Sequence, residues 1–172
     1  INIFEQQDGQ LSLDAQHAIA GILGRIREIS LFLNPLPSSY QRLGCWEAPK
    51  RINWSFGNRS QLVRIPAAHS GAGRMELRSP DPACNPYLAF ALVLAAAMEG
   101  ITEVTPLQAP LDDSGSLPDS LEEAISLAEK SAFIREVLPE NVIEAYLAEK
   151  KKTAARFEAD ANAVFQQHLR TI

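Results

Sequence analysis

Charged residues alternate with apolar residues in the segment RMELR (74–78). In an extended chain, alternate side chains lie on the same face, so Arg74, Glu76 and Arg78 share one face. Met75 and Leu77 share the other face. The residues alone leave two interpretations open. The charged face is either a salt-bridge ladder on a solvated sheet or the wall of a polar cleft, in which the carboxylate holds a metal ion and the guanidinium groups hold an anion.

Positive charge is concentrated in one part of the 172-residue chain, whose net charge is −5. Residues 40–78 contain seven basic and two acidic residues, so this window carries +5 and the remainder −10. Net acidity argues against general nucleic-acid binding, which depends on neutralising phosphates. The basic window instead predicts a local anion or nucleotide site, because guanidinium groups bind carboxylate and phosphate bidentately. Its arginines are Arg42, Arg59, Arg64, Arg74 and Arg78.

Three long helices are predicted. The first occupies residues 12–34, where apolar side chains follow the helical period. The second, PYLAFALVLAAAM (86–98), is apolar throughout and too short to span a bilayer, which predicts a buried helix that Gly100 ends. The third begins near Glu140. A shorter helix is predicted after the capping box SLEE (120–123).

Short strands are predicted between the first two helices. Residues 51–56, 61–66 and 74–78 are rich in strand-forming residues and are separated by turn-like joints, which predicts an antiparallel sheet. Residues 35–50 are predicted to be loop, because proline and glycine interrupt backbone hydrogen bonding. The predicted fold class is α+β, with an antiparallel sheet covered by helices.

The composition is that of an ordinary globular domain, with 46% hydrophobic and 22% charged residues. Cys45 and Cys84 have neither the spacing of a metal site nor the number needed for a disulfide framework, and they favour a reducing cytoplasm. No signal peptide and no membrane partner are predicted. The first residues suggest a piece of a longer protein.

Three segments together resemble the C-terminal catalytic region of glutamine synthetase. They are SSYQRLGCWEAPK (38–50), NWSFGNRSQLVRIP (53–66) and RMELRSPDPACNPYLAF (74–90). The resemblance is specific, because NRS-x-x-x-RIP, R-x-E-x-R-x-PDP and NPYLAF occur in the family's order at nearly its separations. It extends over almost the whole chain. Residues 1–172 are therefore predicted to be the C-terminal portion of a glutamine synthetase-type catalytic domain, with an incomplete form of that domain's fold.

The resemblance implies that four residues serve the substrate glutamate. Arg42 would hold the glutamate, and Arg78 would contact its carboxylate. Glu47 would be the flap glutamate that closes the site. Arg59 would serve both the glutamate and the reacting phosphoryl group. Glu47 and Arg59 are thus the predicted catalytic residues.

The resemblance also implies an ATP side. Arg64 and Arg74 would contact ATP, and Glu76 would be a ligand of Mg²⁺ or Mn²⁺. One departure from the family weakens the metal site. Most of the family's metal carboxylates lie upstream of the matching region, so Glu76 alone of that set is present. One carboxylate holds a divalent cation weakly, because affinity depends on ligand number and charge.

The implied activity of the full-length parent is synthesis of glutamine from glutamate, ammonia and ATP through γ-glutamyl phosphate. The parent is expected to be a homo-oligomeric ring, and the isolated chain is expected to be inactive. Two alternatives within the family are a γ-glutamyl-amide ligase that uses an organic amine and a catalytically silent member with a structural or binding role. Outside the family, the alternative is a phosphagen-kinase-like phosphotransferase, which NPYLAF and WEAP disfavour.

Overall fold

The computed structural model describes residues 2–4, 10–67, 73–112 and 114–159. Helices and three short strands follow one another along these residues, which confirms the α+β class. In chain order they are α1 Leu13–Leu33, α2 Pro37–Arg42, β1 Trp54–Phe56, β2 Val63–Ile65, β3 Glu76–Leu77, α3 Pro86–Thr102, α4 Leu121–Lys130, α5 Ala132–Val137 and α6 Glu140–Ala159. The predicted loop at residues 35–50 contains α2, which begins at a proline because the first helical position needs no backbone donor.

The sheet is mixed, which corrects the prediction of an antiparallel sheet. Strand β2 lies between its neighbours and pairs parallel with β1 and antiparallel with β3. Residues 57–62 run back along β1, so that β2 begins beside the first residue of β1 and continues in the same direction. A hairpin would have reversed the direction of the chain. Parallel strands usually need a crossover of a dozen or more residues. A shorter connection suffices here because β1 and β2 have three residues each, a return distance of roughly 10 Å.

Helix α1 lies at the centre of the core and crosses α3 at two glycines. A methyl group on Gly21 would overlap the carbonyl oxygen of Ala96, and one on Gly100 would overlap the carbonyl oxygen of His17. The two backbones are therefore in direct contact. The prediction that Gly100 ends α3 is wrong, because the helix continues to Thr102. The glycine is needed for the crossing.

Replacement of Gly21 by alanine is expected to destabilise the protein by about 1–3 kcal/mol or more, because the added methyl group must push two helices apart. Gly24→Ala is the matched control, since it lies on the same helix with nothing within 4 Å of the new methyl group. That control is expected to add about 1 kcal/mol of stability through helix propensity. Urea unfolding of both variants measures the difference. Equal stability of the two variants would contradict the direct backbone contact.

The prediction of a buried helix at residues 86–98 holds for one face of α3 only. Ala89, Leu92 and Ala96 are buried against α1. Large apolar side chains on the opposite face are exposed. None of the helices in the described ranges is long and apolar enough to cross a membrane.

Candidate active site

The register of the sheet brings the charged residues of two strands together. Val63 and Ile65 of β2 are buried against α1, so Arg64 between them faces the other side of the sheet. Antiparallel pairing places Arg64 directly opposite Glu76 of β3. An Nη1 atom of the arginine lies 2.9 Å from a carboxylate oxygen. The polar side of this sheet is therefore built around an arginine–carboxylate pair.

Glu76 is contacted by three arginines. Besides Arg64, Arg78 Nη1 lies 3.4 Å from Oε2 and Arg74 Nη2 lies 3.8 Å from Oε1. Met75 and Leu77 pack against the core. The alternation predicted for RMELR, with its charges on one face and its apolar residues on the other, is confirmed.

Arg78 connects Glu76 to a second carboxylate. Its Nη2 atom donates to the backbone oxygen of Glu47 at 3.2 Å and lies 3.3 Å from that residue's side-chain Oε2. Its Nε atom donates to the backbone oxygen of Arg59 at 2.9 Å, and Arg59 Nη1 lies 3.3 Å from Glu47 Oε1. One continuous set of contacts, here called the arginine network, thus joins six predicted site residues. They are Glu47, Arg59, Arg64, Arg74, Glu76 and Arg78.

The four arginines of the network fall into two classes. The side chains of Arg64 and Arg78 are only 17% and 15% exposed, and each also donates to a backbone oxygen. The side chains of Arg59 and Arg74 are 62% and 57% exposed. Two arginines are therefore held in place by the fold, and two extend toward solvent. With two carboxylates among them, the network has a formal charge of +2.

The network lowers the pKa of the Glu76 carboxyl below its ordinary value. The hydrogen bond from Arg64 is the largest cause, and the charges of Arg64, Arg74 and Arg78 add to it, whereas desolvation opposes the shift. A carboxyl with a lowered pKa stabilises the fold above the pKa of the unfolded chain, and this stabilisation is lost as the pH falls through the lower folded value. The network therefore depends on an ionised Glu76.

Glu76→Gln is expected to be less stable than the wild type at neutral pH, because the four arginines then share one carboxylate. The two proteins are expected to converge in acid, where Glu76 is protonated in both folded and unfolded chains and the ion pairs are lost. Urea unfolding across a pH series measures the two curves. Glu149→Gln, an exposed change on α6, is the control and should run parallel to the wild type. A wild-type advantage over Glu76→Gln that persists unchanged in acid would contradict the role of Glu76.

The structure does not bring Arg42 into the network. Its Nη2 atom lies 3.2 Å from Asn34 Oδ1 and donates to the backbone oxygen of Ser79. Its Nε atom lies 3.4 Å from a carboxylate oxygen of Asp81. The guanidinium thereby joins the ends of α1 and α2 to the segment after β3. Asp81 has no role in the sequence-based prediction, although its place between two prolines in a charged motif was a usable signal.

A hollow of about 420 Å³ lies next to Arg74, one of the two exposed arginines of the network. Arg74 and Gly73 line it together with Phe56, Ile65 and Pro66. Pockets with apolar walls and a few polar groups are typical of small-molecule sites. Phe56 was not predicted as a site residue. Its ring is exposed and lies edge-on to that of Trp54, at a centroid distance of 5.5 Å. Its position at the end of β1 gave no signal that it borders a hollow.

A complete metal site is not present in the part of the chain that the structure describes. No group of three or more His, Cys, Asp or Glu side chains is arranged there to hold a metal ion. Glu76 supplies one carboxylate, and arginines already contact both of its oxygens. Divalent cations such as Mg²⁺ take about six oxygen ligands. The described residues therefore do not form a metal site by themselves.

An α+β chain with a positively charged arginine network is suited to binding carboxylate or phosphate groups. Comparison with known proteins narrows this to one family. A family described as "Glutamine synthetase, catalytic domain" matches residues 1–167. The chain belongs to this glutamine synthetase family.

Individual relatives agree with the family match. The chain is 42% identical to a glutamine synthetase of Methanosarcina mazei over 92% of its length, and 38% identical to one of Thermotoga maritima over 91%. A solved structure of a GmaS/ADP complex superimposes with a TM-score of 0.79 at 29% identity, covering 93% of this chain. The chain spans 39% of each of the two glutamine synthetases and 40% of the solved chain. The resemblance found in the sequence is confirmed.

Proposed function

We propose that this chain is the C-terminal portion of an ATP-dependent carboxylate–amine ligase, which in its full-length form makes glutamine from glutamate, ammonia and ATP through γ-glutamyl phosphate. The observation that carries the proposal is the arginine network, which joins six of the seven residues assigned from the family resemblance. A salt-bridge ladder needs opposite charges in balance. This network has twice as many arginines as carboxylates, which suits an anionic ligand.

The two classes of arginine have different roles in this proposal: the mostly buried pair positions the network, and the exposed pair binds the ligand. Arg64 and Arg78 keep fixed positions, because the sheet and several hydrogen-bond acceptors hold their guanidinium groups. Arg59 and Arg74 make the exposed contacts, so they can exchange a protein carboxylate for a ligand. Exposed ion pairs contribute about 0–1 kcal/mol each, whereas a charge-assisted hydrogen bond contributes about 1.5–3 kcal/mol. A phosphoryl group or substrate carboxylate can therefore displace Glu47 from Arg59.

Glu47 has the position of a movable gate in this proposal. It lies in a turn closed by the hydrogen bond from the Ala48 N–H to the Cys45 carbonyl, at 3.0 Å. Its carboxylate connects Arg59 and Arg78 and is 61% exposed. Release of these two contacts would open the network to a ligand, and their return would close it. This behaviour fits the flap role that the family resemblance implies.

The nucleotide side of the proposal rests on Arg74 and the hollow next to it. The apolar wall formed by Phe56, Ile65 and Pro66 suits a flat base, and the network suits the phosphates. The similar GmaS structure is a complex with ADP. We assign Arg64 and Arg74 to ATP, and Glu76 to one ligand position of a Mg²⁺ or Mn²⁺ ion. The remaining ligands would come from residues other than those that the structure describes.

We assign Arg42 to glutamate binding because of its position. Its contacts in the structure are with Asn34, Ser79 and Asp81 and do not join it to the network. Its hydrogen-bond partner Ser79 directly follows Arg78 in the chain, so the Arg42 guanidinium lies beside the backbone that carries Arg78. Asp81 would have to release Arg42 before the arginine could hold a substrate carboxylate. An alternative within the same proposal is that Arg42 orients Arg78 through the backbone of residue 79.

Binding of inorganic phosphate and ADP to the chain itself tests the anion site. Trp46 is fully exposed and precedes Glu47, whereas Trp54 is buried, so a change in the fluorescence of the exposed tryptophan reports movement of the Glu47 turn. We expect both ligands to quench or shift this signal with weak affinity. Trp46→Phe should remove the signal, and the double variant Arg59→Ala/Arg74→Ala should weaken binding at least tenfold. Arg27→Ala/Arg135→Ala removes two arginines outside the network and should have little effect. Binding that only this control pair weakens would contradict the proposed site.

The acceptor is assigned to ammonia, and a screen of ammonia against organic amines with the full-length protein tests that choice. Turnover with an amine alone would identify a γ-glutamyl-amide ligase, and binding without any turnover would identify a silent member. We further propose a homo-oligomeric ring for the full-length protein. The two cysteines, both free, fit a reducing cytoplasm.

A further inference from the structure

Asp81 and Arg42 form a loose ion pair beside the arginine network. Arg42 Nε lies 3.4 Å from Asp81 Oδ2, yet it makes no hydrogen bond with any residue that the structure describes. The Nη2 atom of the same guanidinium does donate, to Asn34 Oδ1 and to the backbone oxygen of Ser79. The other oxygen of Asp81 accepts the backbone N–H of Ala83 at 2.8 Å. The contact between Asp81 and Arg42 is therefore the weakest of this cluster.

Two buried donors surround this ion pair. The hydroxyl of Ser79 and the Nδ2 atom of Asn34 have no hydrogen-bond partner among the described residues, and both side chains are fully buried. Ser79 is two residues from Asp81, whose backbone N–H donates at 2.9 Å to the carbonyl of Leu33, the neighbour of Asn34. A buried donor without a partner is unfavourable and calls for an explanation.

We propose that Asp81 is a positioning residue, which holds Arg42 before substrate binds and gives it up to a carboxylate of glutamate. The inference rests on the proposed ligase function. The side chain of Asp81 is only 15% exposed, and a poorly solvated charge that loses its partner is strongly unfavourable. The hydroxyl of Ser79 and the amide of Asn34 are the donors that then turn to the Asp81 carboxylate. Their lack of a partner before the exchange is thereby explained.

Arg42 and Glu47 are linked through the backbone. The carbonyl of Arg42 accepts the N–H of Cys45 at 3.0 Å, at the start of the turn that carries Glu47. Arg42 donates to the carbonyl of Ser79, and the preceding residue, Arg78, donates to the carbonyl of Glu47 at 3.2 Å. Arginine contacts thus run in both directions between the same two segments. A carboxylate that takes Arg42 therefore acts on the segments that hold Glu47.

Two substitutions should change glutamate binding in opposite directions in a full-length protein that contains this chain. Asp81→Asn weakens the contact with Arg42 and keeps an oxygen for Ala83, so the dissociation constant for glutamate should fall about fivefold. Ser79→Ala removes a donor that is needed only after the exchange, so that constant should rise about tenfold or more. The double variant should behave like Asp81→Asn alone, because no charge is left for the hydroxyl. ATP affinity should stay near the wild-type value in all three.

Glu99→Gln is the matched control for these binding measurements. Glu99 pairs with Arg25 outside the network, and the two side chains are 24% and 35% exposed, compared with 15% and 31% for Asp81 and Arg42. This control should leave glutamate affinity unchanged. Weaker binding in both Asp81→Asn and Ser79→Ala, as a merely structural role predicts, overturns the proposal. So does wild-type affinity in Ser79→Ala.

Urea unfolding of the chain tests the exchange without a ligand. Arg42→Met removes the guanidinium and mimics its release from Asp81. With Arg42 present, Ser79→Ala should leave the unfolding midpoint unchanged or raise it, because the hydroxyl has no described partner to lose. In the Arg42→Met background, Ser79→Ala should lower the midpoint by about 0.5 M urea or more, because the hydroxyl then donates to Asp81.

Ser30→Ala is the control for the unfolding test. Its hydroxyl is fully buried and donates to the carbonyl of Ile26 at 2.8 Å, so its loss should cost the same in both backgrounds. Equal effects of Ser79→Ala in the two backgrounds overturn the proposed exchange and leave the ligase function untouched. A full-length wild type that neither binds glutamate nor turns over contradicts the ligase function, and the unfolding test then decides the exchange alone.

Discussion

In a full-length protein that contains this chain, Arg59→Ala is expected to lower kcat by about 100-fold or more while ATP affinity changes by only a few-fold. Arg59 is the exposed arginine that shares Glu47 with Arg78. In the proposed function, its guanidinium serves the charge that grows on the transferring phosphoryl group. An interaction that strengthens toward the transition state affects turnover more than ground-state binding.

Measurement of kcat, KM for glutamate and the dissociation constant of ATP for the same variant separates the two effects. Arg135→Ala is the control, because Arg135 pairs with Glu140 on the surface, away from the network. It should leave all three quantities near the wild-type values. Equal losses in turnover and in ATP affinity for Arg59→Ala would show that the arginine binds the nucleotide uniformly, and would contradict its assignment to the reacting group.

The charged face of the site could be predicted because it depends on local spacing. Alternation in an extended chain is a geometric property of RMELR, and it correctly separated Glu76 from Leu77. The excess of arginine between residues 40 and 78 likewise predicted a local positive site. Helix starts depend on local signals of the same kind, since Ser12, Asn85 and Ser120 each accept backbone N–H groups as N-caps.

The features that sequence reasoning missed are set by tertiary contacts. Strand direction depends on where residues 57–62 return the chain, and turn-like composition does not specify that path. The choice of Asp81 as the partner of Arg42 depends on how the end of α1 meets the segment after β3. Gly100 has the sequence signature of a helix stop, but the backbone of α1 occupies the space where a side chain would be. Neither the return path of residues 57–62 nor the crossing at Gly100 leaves a period or a motif in the sequence.

The exposed face of α3 shows a different limit. Hydropathy predicted burial on all sides because residues 86–98 are apolar around the whole helix. The fold covers the side that meets α1 and leaves Phe90 and Leu94 exposed. Composition therefore identified a surface that tends to be covered, without identifying what covers it.

The isolated 172-residue chain is expected to form no γ-glutamyl hydroxamate from ATP, glutamate, hydroxylamine and Mg²⁺ or Mn²⁺, whereas a full-length protein containing it is expected to do so. In the proposed function, the arginine network supplies the anion-binding half of the chemistry. The metal-binding half is not supplied, because Glu76 is the only carboxylate assigned to a metal and the described residues form no group of three metal ligands. Without bound cations, the arginines attract phosphate but cannot fully offset the charge of a triphosphate and a glutamate together.

Parallel assays of the chain and the full-length protein measure this difference, and the tryptophan signal provides the internal control. A chain that binds ADP through Trp46-reported changes but makes no hydroxamate is folded and incomplete, which is the expected result. A chain that neither binds nor reacts would point to loss of the anion site and contradict the proposed function instead. Formation of hydroxamate by the chain alone at a rate near that of the full-length protein would contradict the prediction outright. It would mean that two fifths of a relative's length suffices to assemble the reaction site.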